Sequence, residues 1–184
     1  MPLDAANRAV VSLKGGFRVQ TIKGTVRTLG QHRMHMRGHV YAFIKFDLED
    51  GGDMMLEKVV VLNSVGSELE PGVEGTFHVI RNKHATSLIA FEGTNGRRGD
   101  DVTAFQKSIR NGKLGSAFFV ALMCFLAFNL AGLILMRLFR DAPFFVWVLY
   151  YIVPPVLIFR FFLKRVPSET DIRAAIGEAS RQSS

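Results

Sequence analysis

Hydrophobic and polar residues are arranged differently in the two parts of this chain. Between Gly15 and Asn95, apolar residues recur at alternate positions over runs of 8 to 10 residues. This period of two is typical of β-strands with one buried face. After residue 113 the chain has long segments without charge. The pattern therefore predicts a β-rich region followed by apolar helices.

Five alternating runs are predicted to be β-strands. They cover residues 24–31, 39–48, 54–62, 74–82 and 86–93. Tight turns are indicated by Asp-Gly-Gly at residues 50–52 and by Pro-Gly at residues 71–72. About five short strands with such turns predict a small antiparallel β-barrel, OB-like or SH3-like. We assign it, with a short N-terminal segment, to a soluble domain of residues 1–99.

Two apolar segments follow the β-rich region. Leu114–Met136 has 23 residues and no charge, which is enough for a helix to cross a hydrocarbon core of about 30 Å. Residues 142–163 contain one charged residue, Arg160. Because only five residues separate the segments, residues 114–163 predict a two-helix transmembrane hairpin. Buried core helices of a soluble protein are the alternative, but their apolar runs are commonly shorter.

Two adjacent prolines in the second segment suggest how the hairpin is held together. Pro154 and Pro155 free the backbone carbonyl groups of Tyr150 and Tyr151 in the preceding turn. Folding the hairpin near residue 140 brings Asn129 level with them, and we expect its amide to donate to a freed carbonyl or a tyrosine hydroxyl. Small residues that favour close helix packing lie nearby, at Ala127, Ala131 and Gly132. Contact of Asn129 with a second copy of the chain is the alternative.

Basic residues flank both apolar segments. Residues 100–113 predict a basic helical connector, in which Phe105 and Ile109 share one face. The basic side chains that we expect at the membrane surface are Lys107, Arg110, Lys113, Lys164 and Arg165.

The segment 164–184 predicts a tail with a short amphipathic helix. Ser168 is expected to be its N-cap, and Asp171 occupies the capping-box position. Apolar residues follow at helical spacing, at Ile172, Ala175, Ile176 and Ala179. Docking on the barrel, on a partner or on the membrane surface remain three alternatives for this helix.

The net charge of +7 is unevenly distributed. Residues 1–106 hold 13 Lys/Arg and 12 Asp/Glu, whereas residues 107–184 hold 10 and 4. The excess around the apolar segments, together with an N-terminal stretch lacking the features of an export signal, predicts that both termini are cytoplasmic. The single cysteine, Cys124, excludes an intramolecular disulfide.

The sequence Gln31–His39 is rich in imidazole and thioether groups. Its potential metal ligands are His32, Met34, His35, Met36 and His39. In one extended strand these side chains alternate between faces, and Arg33 and Arg37 would repel a cation. We therefore predict no metal site and favour a solvated hairpin loop. A metal or ligand sensor using residues 31–39 is the alternative.

No signature of an enzyme is present: the sequence lacks GxSxG, HExxH, CxxC, Walker A and GxGxxG motifs. We expect no catalytic activity, no cofactor and no small-molecule substrate. Nucleic-acid binding by an OB-like barrel is a further alternative, but the nearly neutral charge of residues 1–106 argues against it.

The strand run with its Asp-Gly-Gly and Glu-Pro-Gly turns, followed by an apolar hairpin, resembles bacterial inner-membrane proteins with small OB-like or SH3-like β-barrels. The resemblance covers most of the chain and transfers no site residues. It implies a multi-pass α+β membrane protein of the inner (plasma) membrane. Its cytoplasmic barrel would be a protein-interaction or assembly module, acting as a homo-oligomer or with another membrane protein.

Overall fold

The computed structural model describes residues 10–35, 38–83, 85–138, 144–164 and 166–182. The strands in these ranges are β1 (Val10–Leu13), β2 (Phe17–Leu29), β3 (His32–His35), β4 (Gly38–Leu48), β5 (Asp53–Leu62), β6 (Glu74–Arg81), β7 (Thr86–Gly93) and β8 (Arg98–Asp100). The helices are α1 (Asn63–Gly66), α2 (Val102–Leu138), α3 (Phe144–Leu163) and α4 (Glu169–Gln182). The chain is therefore an α+β protein, as predicted.

Five of the strands close into a barrel. β2 pairs with both β4 and β6, β4 pairs with β5, and β7 joins β5 to β6. These are the five strands that the alternating pattern predicts. Not every pair is antiparallel, however, because β5 and β7 run parallel, with Val59 opposite Thr86 and Val61 opposite Leu88. Short strands β1, β3 and β8, absent from the sequence prediction, extend the sheet beyond the ring.

The barrel encloses a core of aliphatic and aromatic side chains. Phe46, Phe77 and Phe91 come from β4, β6 and β7 and are fully buried. The Phe77 ring lies 5.0 Å from the ring of Phe46 and stacks 5.1 Å from the ring of Phe91, centroid to centroid. Such ring pairs contribute about 0.5–1.5 kcal/mol beyond the burial of their area.

The inward-facing side of β5 changes at Lys58. Met54 and Leu56 contribute to the core before this residue, and Val59 and Val61 contribute after it. Lys58 has φ +51°, an uncommon left-handed conformation for a residue with a side chain. The paired strand β4 makes the same change, so that Tyr41 shares the core side with Val59, its register partner.

Helix α4 packs on the outside of the barrel against β1 and β2. Its buried residues are Ile172, Ala175 and Ala179, which follow the spacing predicted from the sequence. The Ser168 hydroxyl accepts a hydrogen bond from the Asp171 N–H at 3.0 Å, and the Asp171 carboxylate accepts one from the Ser168 N–H at 3.3 Å. The capping box is thus confirmed, and of the three alternatives for this helix the structure selects the barrel.

The chain divides into two compact units. The first comprises Met1–Gln106 and Pro167–Ser184, and the second comprises Lys107–Val166. Helix α2 begins at Val102 in the first unit and continues to Leu138 in the second, so the predicted connector and first apolar segment belong to one helix. Among the described residues, one helical segment, Val102–Asn129, is long and apolar enough to cross a membrane, and Ile152–Phe161 is a shorter apolar segment.

Candidate functional site

The most unusual cluster of polar groups lies where the hairpin of β3 and β4 joins the barrel. His32 lies opposite Tyr41, and Met34 lies opposite His39. Directly opposed residues in an antiparallel pair place their side chains on the same face. We call His32, Met34, His39 and Tyr41 the histidine face.

The rings of the histidine face are in contact. The centroids of His32 and His39 are 5.0 Å apart, and their planes meet at 74°. Tyr41 lies 5.3 Å from His32 and 6.1 Å from His39, again between centroids. Met34 is 84% exposed, so solvent reaches one side of the cluster.

The inner side of the histidine face is closed by the barrel. The Nδ1 atom of His39 is buried and has no hydrogen-bond partner among the described residues. A Cβ atom built on Gly66 of α1 would lie 3.4 Å from Cδ2 of His39. Burial also raises the pKa of the Tyr41 hydroxyl, which therefore remains protonated at neutral pH. The result is an exposed imidazole, that of His32, in contact with the half-buried imidazole of His39, whose Nδ1 is unsatisfied.

The strand pairing differs from the loop that we predicted for residues 31–39. β3 and β4 bring His32 and His39 together from opposite strands, which sequence spacing along a single strand does not reveal. Arg33 is opposite Val40 and therefore points away from the histidine face. The side chain of His35, together with Met36 and Arg37, lies outside the described residues. Within the described part of the chain, no group of three His, Cys, Asp or Glu side chains is arranged around a common point.

A second candidate site is an apolar groove between α2 and α3. The groove has a volume of about 700 Å³. It is lined by Phe118, Ala121, Pro155, Val156, Phe159, Arg160 and Lys164. Both charged residues are basic and come from the C-terminal end of α3 or just beyond it. The groove therefore combines apolar walls with positive charge at one end.

The predicted contact of Asn129 is only partly described. Its Nδ2 donates to the carbonyl oxygen of Phe125 at 2.7 Å, one turn back in the same helix. Because the amide carries a second hydrogen, donation to the carbonyl groups of Tyr150 or Tyr151 stays a prediction. The side chains of these two tyrosines and of Ala131 lie outside the described part of the chain. The same holds for the surroundings of Gly132. Ala127 is exposed.

The predicted membrane-surface residues that the structure describes lie in the N-terminal third of α2 and just after α3. Lys107 and Arg110 are exposed in the N-terminal part of α2, and Lys164 is exposed just after α3. Lys113 is half-buried, and Arg165 lies outside the described residues.

A charged cluster next to α4 is a feature that the sequence analysis did not predict. Arg173 forms ion pairs with Asp100 at 2.8 Å and with Glu169 at 3.0 Å, and Glu169 also accepts a hydrogen bond from the Thr103 hydroxyl. Partial burial disfavours ionisation of Asp100, but hydrogen bonds from Arg173 and the Val102 N–H outweigh it and lower its pKa. This cluster ties α4 to β8 and to the start of α2.

The neighbouring Asp101 has a different role. Its side chain accepts a hydrogen bond from the Val65 N–H at 2.8 Å and thereby caps α1. It is 7% exposed, and burial raises its pKa despite the bonds from Val65 and Ser64.

His78 has a structural role on β6. It lies between the core residues Phe77 and Val79 and so points away from the barrel interior, as strand alternation predicts. It is nevertheless only 4% exposed and shares a hydrogen bond of 3.2 Å with the Thr21 hydroxyl. Burial lowers its pKa, and the charge of Glu92 offsets part of this effect.

Comparison of the chain with protein-family models, with curated proteins and with solved structures yields no match.

Proposed function

We propose that this protein is a non-enzymatic, multi-pass membrane protein whose β-barrel acts as an interaction or assembly module on the cytoplasmic side. The observation that carries the proposal is the exposed apolar surface of α2. Its exposed residues include Phe118, Phe119, Leu122, Met123, Phe125 and Leu126. Contiguous apolar surface of this kind is rare on soluble monomers, and a lipid environment accounts for it.

The length and composition of α3 support a second membrane crossing. α3 has 20 residues and one charged side chain, Arg160. At about 1.5 Å per residue it reaches roughly 30 Å, the thickness of a hydrocarbon core. Arg160 lies three residues from its end, where a long side chain extends to the headgroups. With two crossings, Lys107 and Lys164 lie on one side, which the positive-inside rule makes cytoplasmic.

The order of strands supports an OB-like barrel. The five barrel strands, in chain order, are β2, β4, β5, β6 and β7. The first of them, β2, pairs with β4 and β6, and the third, β5, pairs in parallel with the fifth, β7. This is the arrangement of OB-folds, which commonly bind through the face of their second and third strands and the adjoining loops. Here those strands are β4 and β5, and Met55 of β5 is 53% exposed on the outer face. We propose this face as the contact with a second copy or another membrane protein.

The groove between α2 and α3 supports a direct role for lipid. Acyl chains suit its apolar walls of Phe118, Val156 and Phe159. Arg160 and Lys164 at one end suit an anionic headgroup, as in other basic pockets between membrane helices. We propose that an anionic phospholipid occupies this groove.

Membrane insertion is tested with the full-length chain in bacterial cells. We expect the protein to sediment with membranes, to resist alkaline carbonate and to be released by detergent. A Leu122→Asp/Phe125→Asp variant should move to the soluble or aggregated fraction, because a central aspartate costs about 2.5–3.5 kcal/mol of insertion free energy. Lys107→Asp is the matched control and should still sediment with membranes. Wild-type protein in the carbonate supernatant would contradict the proposal.

The interaction module is tested by crosslinking in native membranes. A photoreactive residue replacing Met55 should capture a second copy or a defined membrane protein, whereas the same residue at Val10, on β1 outside the ring, should not. A failure to capture any protein at Met55 would argue against this face. Cleavage of the barrel by protease added to intact cells would contradict its cytoplasmic location.

A further inference from the structure

We propose that His32, Met34 and His39 form a binding site for one Cu(I) ion. The inference is independent of membrane insertion, because all three ligands belong to β3 and β4. It rests on the separation of the two imidazoles, on the unsatisfied nitrogen of His39 and on the thioether directly opposite it.

The two imidazoles are spaced as they would be around one ion. A metal about 2.0–2.1 Å from a nitrogen of each ring, with bonds near the tetrahedral angle, holds the two ring centroids roughly 5 Å apart. The observed separation is 5.0 Å, with the planes inclined by 74°. The observed separation therefore matches the spacing that a shared ion requires, with the strand pairing as it stands.

The buried nitrogen of His39 is the second observation. More than nine in ten buried polar groups have a hydrogen-bond partner, so an orphaned one calls for an explanation. The Nδ1 atom of His39 has none among the described residues, although Tyr41 and Gly66 pack around the ring. A cation bound at Nδ1 satisfies this nitrogen directly, and the N–H group of the ring is then at Nε2.

The third ligand identifies the metal. Met34 lies directly opposite His39, and opposed Cβ atoms are about 4.5–5.5 Å apart. Its flexible thioether is a soft ligand, which selects Cu(I) over harder ions when imidazoles complete the site. The exposure of Met34 gives the ion a path from solvent. No carboxylate belongs to this set, which further disfavours Mg²⁺ and Ca²⁺.

The neighbouring arginine does not oppose the ion as the sequence suggests. Arg33 pairs with Val40 and therefore lies on the other face of the hairpin from His32 and Met34.

The test is a Cu(I) titration of the purified full-length protein in detergent, under anaerobic reducing conditions, with bicinchoninate as the competing chelator. We expect one Cu(I) per chain. His32→Gln, His39→Gln and Met34→Leu should each weaken binding at least about 10-fold, because even outer-shell changes commonly cost 10- to 100-fold. Met55→Leu removes an exposed thioether from β5 and should leave binding unchanged.

Two further measurements separate this site from adventitious binding. Cys124→Ser removes the single thiol and should retain the bound Cu(I). X-ray absorption at the copper edge should show nitrogen and sulfur neighbours in this variant, with sulfur lost when Met34→Leu is added. Circular dichroism verifies that each variant is folded.

Three results would overturn the proposal. These are the absence of bound Cu(I), equal affinity of wild type and a folded His32→Gln/His39→Gln variant, or a sulfur signal that depends on Cys124 rather than Met34. Tighter binding of Zn²⁺ that ignores Met34→Leu would overturn the assignment to copper.

Discussion

Two adjacent carboxylates, Asp100 and Asp101, have opposite electrostatic environments. Asp100 faces Arg173 and has a lowered pKa, whereas Asp101 is buried beneath α1 and has a raised pKa. The first therefore favours the folded state when ionised, and the second tolerates ionisation because two backbone N–H groups bind it. One peptide bond separates a surface ion pair from a buried helix cap.

The ion pair of Asp100 with Arg173 is expected to contribute modestly. Both side chains are about half exposed, so a double-mutant cycle with Asp100→Asn and Arg173→Gln should give a coupling of about 0.2–1 kcal/mol. The lowered pKa of Asp100 means that its contribution is present above the unfolded pKa, near 3.9, and is lost as pH falls through the folded pKa.

This pH dependence is measured by urea unfolding of the full chain in detergent between pH 7 and pH 3. Asp100→Asn should flatten the acid-side loss of stability relative to wild type. An equal loss in both proteins would show that Asp100 does not link stability to pH.

The cap made by Asp101 should matter more than the exposed pair. Asp101→Ala leaves the Val65 N–H buried without its acceptor, which costs about 1–3 kcal/mol. Asp101→Asn retains an acceptor oxygen and should recover most of this loss. Unfolding free energies of the three proteins at neutral pH provide the test, and equal losses in both variants would contradict capping as the cause.

At the scale of the element, α4 shows how local and tertiary signals agree. Its capping box begins the helix at Glu169, and its buried stripe of Ile172, Ala175 and Ala179 holds it on the barrel. A helix of 14 residues is marginal alone in water. Cap and packing therefore act together.

The cap of α4 can be tested separately. Ser168→Ala should lower stability by about 0.5–2 kcal/mol because the hydroxyl no longer accepts from the Asp171 N–H. Ser168→Thr keeps the acceptor and is the matched control. Thermal unfolding followed by circular dichroism should separate the two variants, and equal melting temperatures would count against the cap.

One substitution in the same helix should raise the stability of the protein instead of lowering it. Gly177 lies inside α4, and a Cβ built there meets no heavy atom within 4 Å. Gly177→Ala should therefore raise stability by about 0.8–1.0 kcal/mol through helix propensity alone. A lower melting temperature would indicate that the helix has a neighbour at this position.

At the scale of the whole molecule, barrel closure depends on close approach between strands. A Cβ on Gly24 of β2 would clash with the carbonyl oxygen of Asp47 on β4, which is backbone and cannot move aside. Gly24→Ala should thus weaken the β2–β4 seam and lower stability by more than the few tenths of a kcal/mol typical of surface changes. Hydrogen exchange should rise at this seam first; unchanged exchange there would contradict the expectation.

The barrel was largely predictable because its signals are local. Alternation over 39–48 and 54–62, with a glycine turn between them, identifies β4 and β5 within one or two residues. The parallel pairing of β5 with β7 could not be predicted, because pairing between distant strands leaves no periodic pattern in either sequence. The convergence of His32 with His39 depends on hairpin register, and the roles of Asp100 and Asp101 depend on partners 73 and 36 residues away.

The barrel unit is discontinuous in sequence, since α4 belongs to it although 60 residues, Lys107–Val166, intervene. At a translation rate of about 5–20 residues per second, the end of α4 leaves the ribosome roughly 4–18 s after the end of β7, the last barrel strand. During that interval the outer surface of β1 and β2 has no covering helix, while the apolar segments are already being made. Synthesis of this protein thus includes an interval in which a chaperone can bind the nascent barrel before α4 covers β1 and β2.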